Sequence, residues 1–154
     1  MKRSLEEFVA QVAQRGSWFG GGSAAASTAA VAAALLEKLL VQPARLRQLR
    51  RIRRECLRLV DRDATAFAGV IQALRSGGRE RFRRALGAAT AVQVTVLAHA
   101  QQVQAMSQQA RRVVSPKFQS DLRCAQALAK AAADSAKTLI QTNRAWLRAR
   151  RATG

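Results

Sequence analysis

Apolar residues recur at spacings of three and four through most of the chain, and no segment alternates every second residue as a half-buried strand would. Leu5, Phe8, Val9 and Val12 predict the buried face of a first helix that ends at Gly16, and Ser4 with Glu7 has the form of a capping box at its start. Gly20-Gly21-Gly22-Ser23 comes next, followed by an alanine-rich run to Leu40. That run is apolar almost all round, which predicts a helix at the centre of the fold. From Pro43 to Leu74 the positions Leu46, Leu49, Ile52, Cys56, Leu59, Val60, Phe67, Val70, Ile71 and Leu74 keep helical spacing, and Gly77-Gly78 closes that third helix. A fourth runs from about Arg79 to Arg112 with Phe82, Leu86, Val92, Val96, Val103 and Met106. After Ser115-Pro116 a last one runs from about Ser120 to Arg150, with Leu122, Leu128, Leu139, Ile140, Trp146 and Leu147 on its buried face. The fold class is therefore all-α: a bundle of about five helices, three of them long, in one domain over 1–154.

Composition narrows the chemistry. Of 154 residues, 49% are hydrophobic, enough for a core, so the formal charge of +18 does not signal disorder. Aromatics are only 5% and tyrosine is absent, which argues against modules that stack nucleic-acid bases on aromatic platforms. Cys56 and Cys124 stand far apart and His99 is the single histidine, too few soft ligands for a structural metal. His99 reads as a surface or interface residue, and the two cysteines read as small core residues. Met1-Lys2-Arg3 is followed by Glu6 and Glu7 rather than an apolar run, and the apolar run from Ala24 to Leu36 is too short to span a bilayer. No membrane association and a cytoplasmic location are expected. A chain of this length that needs a cleft can build one by pairing with a second copy.

Four features carry chemistry. Gly20-Gly21-Gly22-Ser23 opens onto a buried helix: glycines permit positive φ and close backbone approach, and a helix N-terminus offers free N–H groups to an anion. The same residues also suit a tight turn with Ser23 as N-cap. Asp63 lies one heptad beyond Cys56 and four residues before Phe67, so its carboxylate points to the core or its edge, whereas Asp61 is rotated away. It is either a site residue or one half of an ion pair with an arginine. Ser120-Asp121 reads on local grounds first as a helix N-cap with an acidic first turn, and second as a site. Arg47, Arg51, Arg54, Arg58 and Arg62 form a stripe along the outer face of the third helix, either a solvated face or a footprint for a polyanion.

Taken in order, Leu5-Glu6-Glu7-Phe8, Gly20-Gly21-Gly22-Ser23-Ala24-Ala25-Ala26, Asp63-Ala64-Thr65-Ala66-Phe67, Ala89-Thr90, Ser120-Asp121 and Asn143 resemble the formiminotetrahydrofolate cyclodeaminase and methenyltetrahydrofolate cyclohydrolase family across almost the whole chain. The resemblance implies an all-helical homodimer acting on one-carbon units carried by a tetrahydrofolate derivative as substrate, with no tightly bound cofactor. It implies Asp63 and Asp121 as catalytic residues, and Gly20, Gly21, Gly22, Ser23, Ser120 and Asn143 as substrate-binding residues. The arginine stripe would then steer a polyglutamylated folate. This chain departs from the family pattern at Ser17-Trp18-Phe19, where members carry Pro-Thr-Pro, and at Leu122-Arg123-Cys124, where they carry Ala-Gly-Val.

The expected activity is cyclodeamination of 5-formimino-tetrahydrofolate or hydrolysis of 5,10-methenyl-tetrahydrofolate. A catalytically silent homologue serving as a binding or structural helical dimer is the second reading. A basic, nucleic-acid-associated bundle is the third. Trp18, Phe19 and Arg123 discriminate the first two, because side chains filling the space beside Asp63 and Asp121 would leave no room for a pterin.

Overall fold

The computed structural model describes residues 4–152. Met1-Lys2-Arg3, read above for a leader, lies outside them. Helix α1 spans Leu5–Ala13, α2 Gly21–Leu39, α3 Pro43–Ser76, α4 Arg79–Ala110 and α5 Gln119–Ala152, with a 3-10 turn at Pro116–Phe118 before α5. The described residues contain no strand. Local sequence explains the boundaries. The Ser4 hydroxyl accepts from the Glu7 amide at 3.1 Å while the Glu7 carboxylate accepts from the Ser4 amide at 2.7 Å, a complete capping box. Pro43 opens α3, where its missing N–H is no loss. Gly77 and Gly78 take φ of 73° and 94° to reverse the chain into α4.

Helix α2 is the axis of the bundle and packs against α3, α4 and α5. Its alanines 25, 26, 29, 30, 32 and 33 are buried, and they meet the equally small Ala125, Ala129, Ala132, Ala133 and Ala136 of α5. Small side chains on both helices let the backbones approach, so the larger residues Leu36, Leu49, Ile52, Val103 and Leu122 fill the spaces between the helices. At its C-terminal end α2 is tied to α3 by Glu37, which accepts from Arg50 at 2.8 Å and Arg53 at 2.9 Å. Burial pushes the Glu37 pKa up, but the two guanidiniums outweigh it and hold the carboxyl below its usual value.

Length mismatch creates the useful space. At 1.5 Å per residue α2 is about 28 Å long, whereas α3, α4 and α5 each run about 48–51 Å. The three long helices continue past the N-terminus of α2, and a separate apolar cluster of Val70, Ala73, Phe82, Leu86 and Ala89 closes their far end. There the Phe82 and Trp146 rings meet edge to face at 5.2 Å. Between that cluster and the first residues of α2 lies a cavity.

Several expectations need correction. The apolar face of α1 is not core: Leu5 is 77% exposed and Val9 is exposed too, and only Phe8 is drawn in, against Phe19 at 6.2 Å. His99 is buried rather than superficial, with Nε2 3.4 Å from the Glu55 carboxylate. Cys56 is buried as expected, its thiol pushed up to about 12 by burial, but Cys124 is exposed. Phe67 turns outward to the edge of Trp18, at 6.3 Å.

If close approach of α2 organises the bundle, added bulk on it is harmful only where helices meet. Ala29→Leu is expected to destabilise by about 1–3 kcal/mol in urea unfolding, and Ala34→Leu, on the exposed side, by less than about 0.5 kcal/mol. Equal effects would show that α2 is not closely packed.

Candidate functional site

Helix α2 begins at Gly21, with Gly20 as its N-cap, so Ser23 lies inside the first turn and does not cap it. The Ser23 hydroxyl instead reaches α3, 3.0 Å from the Val60 carbonyl and 3.0 Å from Asp63 Oδ2. Asp63 Oδ1 accepts from Gln93 Nε2 of α4 at 2.7 Å. Three helices thus converge on one carboxyl. The glycines matter here for space rather than for dihedral freedom, since the positive-φ glycines among the described residues are Gly16, Gly77 and Gly78. A Cβ on Gly22 would fall within 3.0 Å of Asp63 Oδ1 and Cγ and of Gln93 Nε2, closer than real Cβ atoms approach. By contrast, a Cβ on Gly20 would meet nothing within 4 Å.

The cavity above this cluster has a volume of about 290 Å³. Gly20, Gly21 and Gly22 form one edge, Asp63 and Gln93 the polar floor, and Leu86, Val70 and Leu139 part of the apolar wall. Trp18 and Trp146, the two tryptophans of the chain, stand on it as well. Asn143 lines it and donates to the Thr90 hydroxyl at 3.2 Å, which holds its amide in place. Among the described residues, Asp63 is the sole ionisable side chain in the lining. Burial pushes its pKa up, opposed by the hydrogen bonds from Ser23 and Gln93, and the net direction is upward.

The residues anticipated from sequence therefore separate into two groups. Gly20, Gly21, Gly22, Ser23, Asp63 and Asn143 come together around the cavity. Ser120 and Asp121 do not: α5 begins at Gln119, Ser120 is exposed in its first turn, and Asp121 pairs with Lys38 at 2.9 Å. Lys38 lies 16 residues beyond Gly22 on α2, which at 1.5 Å per residue is about 24 Å from the Asp63 cluster. Trp18 borders the cavity without filling it, Phe19 packs into the core beside Leu59 and Val96, and Arg123 is exposed near Asp121. Space for a ligand beside Asp63 remains. Gln93 belongs to no motif, and its one signal in the sequence is its place as the polar member of the otherwise apolar stripe Leu86, Ala89, Gln93, Val96, Ala100. The arginine stripe is exposed as expected, but Arg58 is five residues from Asp63, about 140° round α3, so it faces away from the cavity. Among the described residues no His, Cys, Asp and Glu cluster could hold a metal ion, and no helix is long and apolar enough to cross a membrane.

Two outcomes follow from this geometry. Gly22→Ala should displace Asp63 or Gln93 and destabilise by about 1–3 kcal/mol, while Gly20→Ala stays within about 1 kcal/mol, both read by thermal or urea unfolding. Because the folded-state pKa of Asp63 is raised, the folded chain binds this proton more tightly than the unfolded chain. The group's stabilising contribution is then present below its ordinary value of 3.8 and is lost as pH rises through the raised one. Stability of Asp63→Asn relative to wild type should accordingly increase with pH across that window; a difference that is flat or falls would contradict the burial of the carboxyl.

Comparison with known proteins agrees with the fold. The crystal structure of formiminotetrahydrofolate cyclodeaminase from Thermotoga maritima superposes with a TM-score of 0.82 at 23% identity, covering 95% of this chain and 80% of that one. No curated protein matches the chain. Residues 4–152 match the family model described as formiminotransferase-cyclodeaminase, and with nearly the whole described chain inside that match, the protein belongs to this family.

Proposed function

We propose that the chain makes or opens the methenyl bridge of a tetrahydrofolate derivative, by cyclodeamination of 5-formimino-tetrahydrofolate or by hydrolysis of 5,10-methenyl-tetrahydrofolate. The observation that carries this reading is a single half-buried carboxyl, Asp63, held by Ser23 and Gln93 on the floor of a cavity whose other described lining residues are uncharged and largely apolar. Ligand pockets commonly measure about 300–1,000 Å³, so this one suits a ring system rather than an entire folate. The pterin would lie inside, with the aminobenzoyl-glutamate portion leaving by the mouth near Trp18.

In the deamination direction, the second folate nitrogen attacks the formimino carbon and a new N–C bond forms. The old bond to the terminal nitrogen breaks as ammonia leaves. The leaving nitrogen carries its own hydrogen, the one released by the attacking nitrogen, and one supplied by Asp63. A carboxyl whose pKa is raised by burial is suited to hold that proton before the step. The carboxylate left behind faces the methenyl cation and stabilises it. In the hydrolytic direction the same carboxylate accepts one proton from the water that attacks the methenyl carbon; the carbon's bond to one folate nitrogen then breaks, that nitrogen takes the water's second proton, and a formyl group stays on the other nitrogen. No tightly bound cofactor is invoked; the folate is the substrate.

We place the chemistry on Asp63 and treat Asp121 as the partner of Lys38, since within one chain that pair lies at the far end of α2 from this cavity. A homodimer and a cytoplasmic location remain part of the proposal. The arginine stripe would act on a polyglutamylated folate at long range, through its field rather than by contact. Between a working enzyme and a silent homologue, the open space beside Asp63 favours the enzyme.

The test is formation or loss of the methenyl chromophore. Asp63→Asn should lower turnover by about 10²–10⁴-fold. Asp121→Ala should leave it within about threefold, because an exposed ion pair is worth at most ~1 kcal/mol. Wild-type protein that accelerates neither reaction would overturn the proposal, as would full activity of Asp63→Asn.

A further inference from the structure

Gln93 is 2% exposed, yet only half of its amide is satisfied. Nε2 donates to Asp63 Oδ1 at 2.7 Å, whereas Oε1 is buried with no hydrogen-bond partner. A buried acceptor left unmet costs about 1–3 kcal/mol, so it needs an explanation. Position supplies one. Gln93 lines the same cavity as Asp63, flanked on its own helix by Leu86 and Ala89, and no neighbouring side chain donates to it. Leucine or methionine would fill this volume without an orphaned oxygen, while a glutamine is useful where both ends of the amide find work.

Resting on the folate reading of the cavity, we infer that Gln93 is a specificity-determining residue of the site, its N–H holding Asp63 in place while its free oxygen receives an N–H donor from the bound ring. The ligand class this selects is a flat nitrogen heterocycle with a donor edge, which the amino-substituted pyrimidine half of a pterin provides. The terminal torsion of glutamine is soft, so a small turn can offer Oε1 to a donor at the floor while Nε2, which carries two hydrogens, keeps its bond to Asp63. Apolar heterocycles and rings bearing only acceptors at that edge would leave Oε1 orphaned and bind less well.

Calorimetric titration with 5-formyl-tetrahydrofolate tests this, with quenching of Trp18 and Trp146 as a second readout on the cavity itself. Gln93→Leu should weaken binding about tenfold, the equivalent of one lost hydrogen bond. Gln93→Glu keeps the shape but sets a second carboxyl against Asp63. Since Asp63 is the sole ionisable group among the described lining residues, affinity of that variant should fall as pH rises past the ordinary carboxylate range, by about tenfold more than wild type. A merely structural role would lower affinity for rings with and without a donor edge alike, whereas the assignment lowers it for the donor-bearing ring alone. Wild-type affinity retained by both variants at every pH would overturn the assignment alone. Absence of binding by wild-type protein would overturn the folate reading and this assignment with it.

Discussion

The site depends on one contact, the approach of the Gly22 backbone to Asp63 and Gln93. Helix α2 is surrounded by longer helices and must stop inside the bundle, which would ordinarily leave its first N–H groups buried and unpaired. A side chain at the second helical residue would push α3 and α4 outward. With none there, the Asp63 carboxyl and the Gln93 amide close over the start of α2, and Ser23 ties the next residue to α3. Termination of the central helix, the existence of the cavity and the location of its acid are thus one structural solution.

The Ser23 hydroxyl carries a single hydrogen but stands 3.0 Å from two acceptors, the Val60 carbonyl and Asp63 Oδ2. When Asp63 is ionised, both compete for that hydrogen. When Asp63 is neutral, its own O–H can donate to Ser23, and Ser23 can donate to Val60. Ser23 can therefore serve either protonation state of the carboxyl; burial is what raises its pKa, and the hydrogen bonds from Ser23 and Gln93 oppose that rise without cancelling it. The cluster is suited to keeping a proton at the cavity floor and to tolerating its departure, because Gln93 and Ser23 still donate to the carboxylate.

Helices were legible in this chain because Gly and Pro punctuate them and because apolar residues repeat at helical spacing. The centrality of α2 followed from its lack of any polar face. Spacing within one helix, however, records a stripe and not what covers it. Leu5 and Val9 have the period of a buried face without a partner helix in this chain, while His99 is covered by α3 and Cys124 is not covered. Proximity between helices was the other hidden quantity. Gly20 to Ser23 and Asp63 could be nominated separately, but their meeting depends on where α2 stops relative to α3. Ser120-Asp121 was nominated in the same way, and the long α5 carries that pair to the opposite end of α2. Gln93 escaped notice because a lone polar residue in a helix carries no motif, even though its place in the apolar stripe marks it as buried.

The charge of the chain sharpens the meaning of the cavity. With 27 lysines and arginines against 9 acids, a ligand approaching from solvent meets a positive field, which attracts a carboxylate-bearing tail and disfavours a cation. Among the described residues no basic side chain lines the cavity. A methenyl cation formed there would have one carboxylate at close range and no like charge in contact with it, and at short distance in a poorly solvated site the near charge dominates the distant ones. On the proposed reading, this arrangement would separate the field that gathers an anionic substrate from the local environment in which a positive carbon would have to be tolerated.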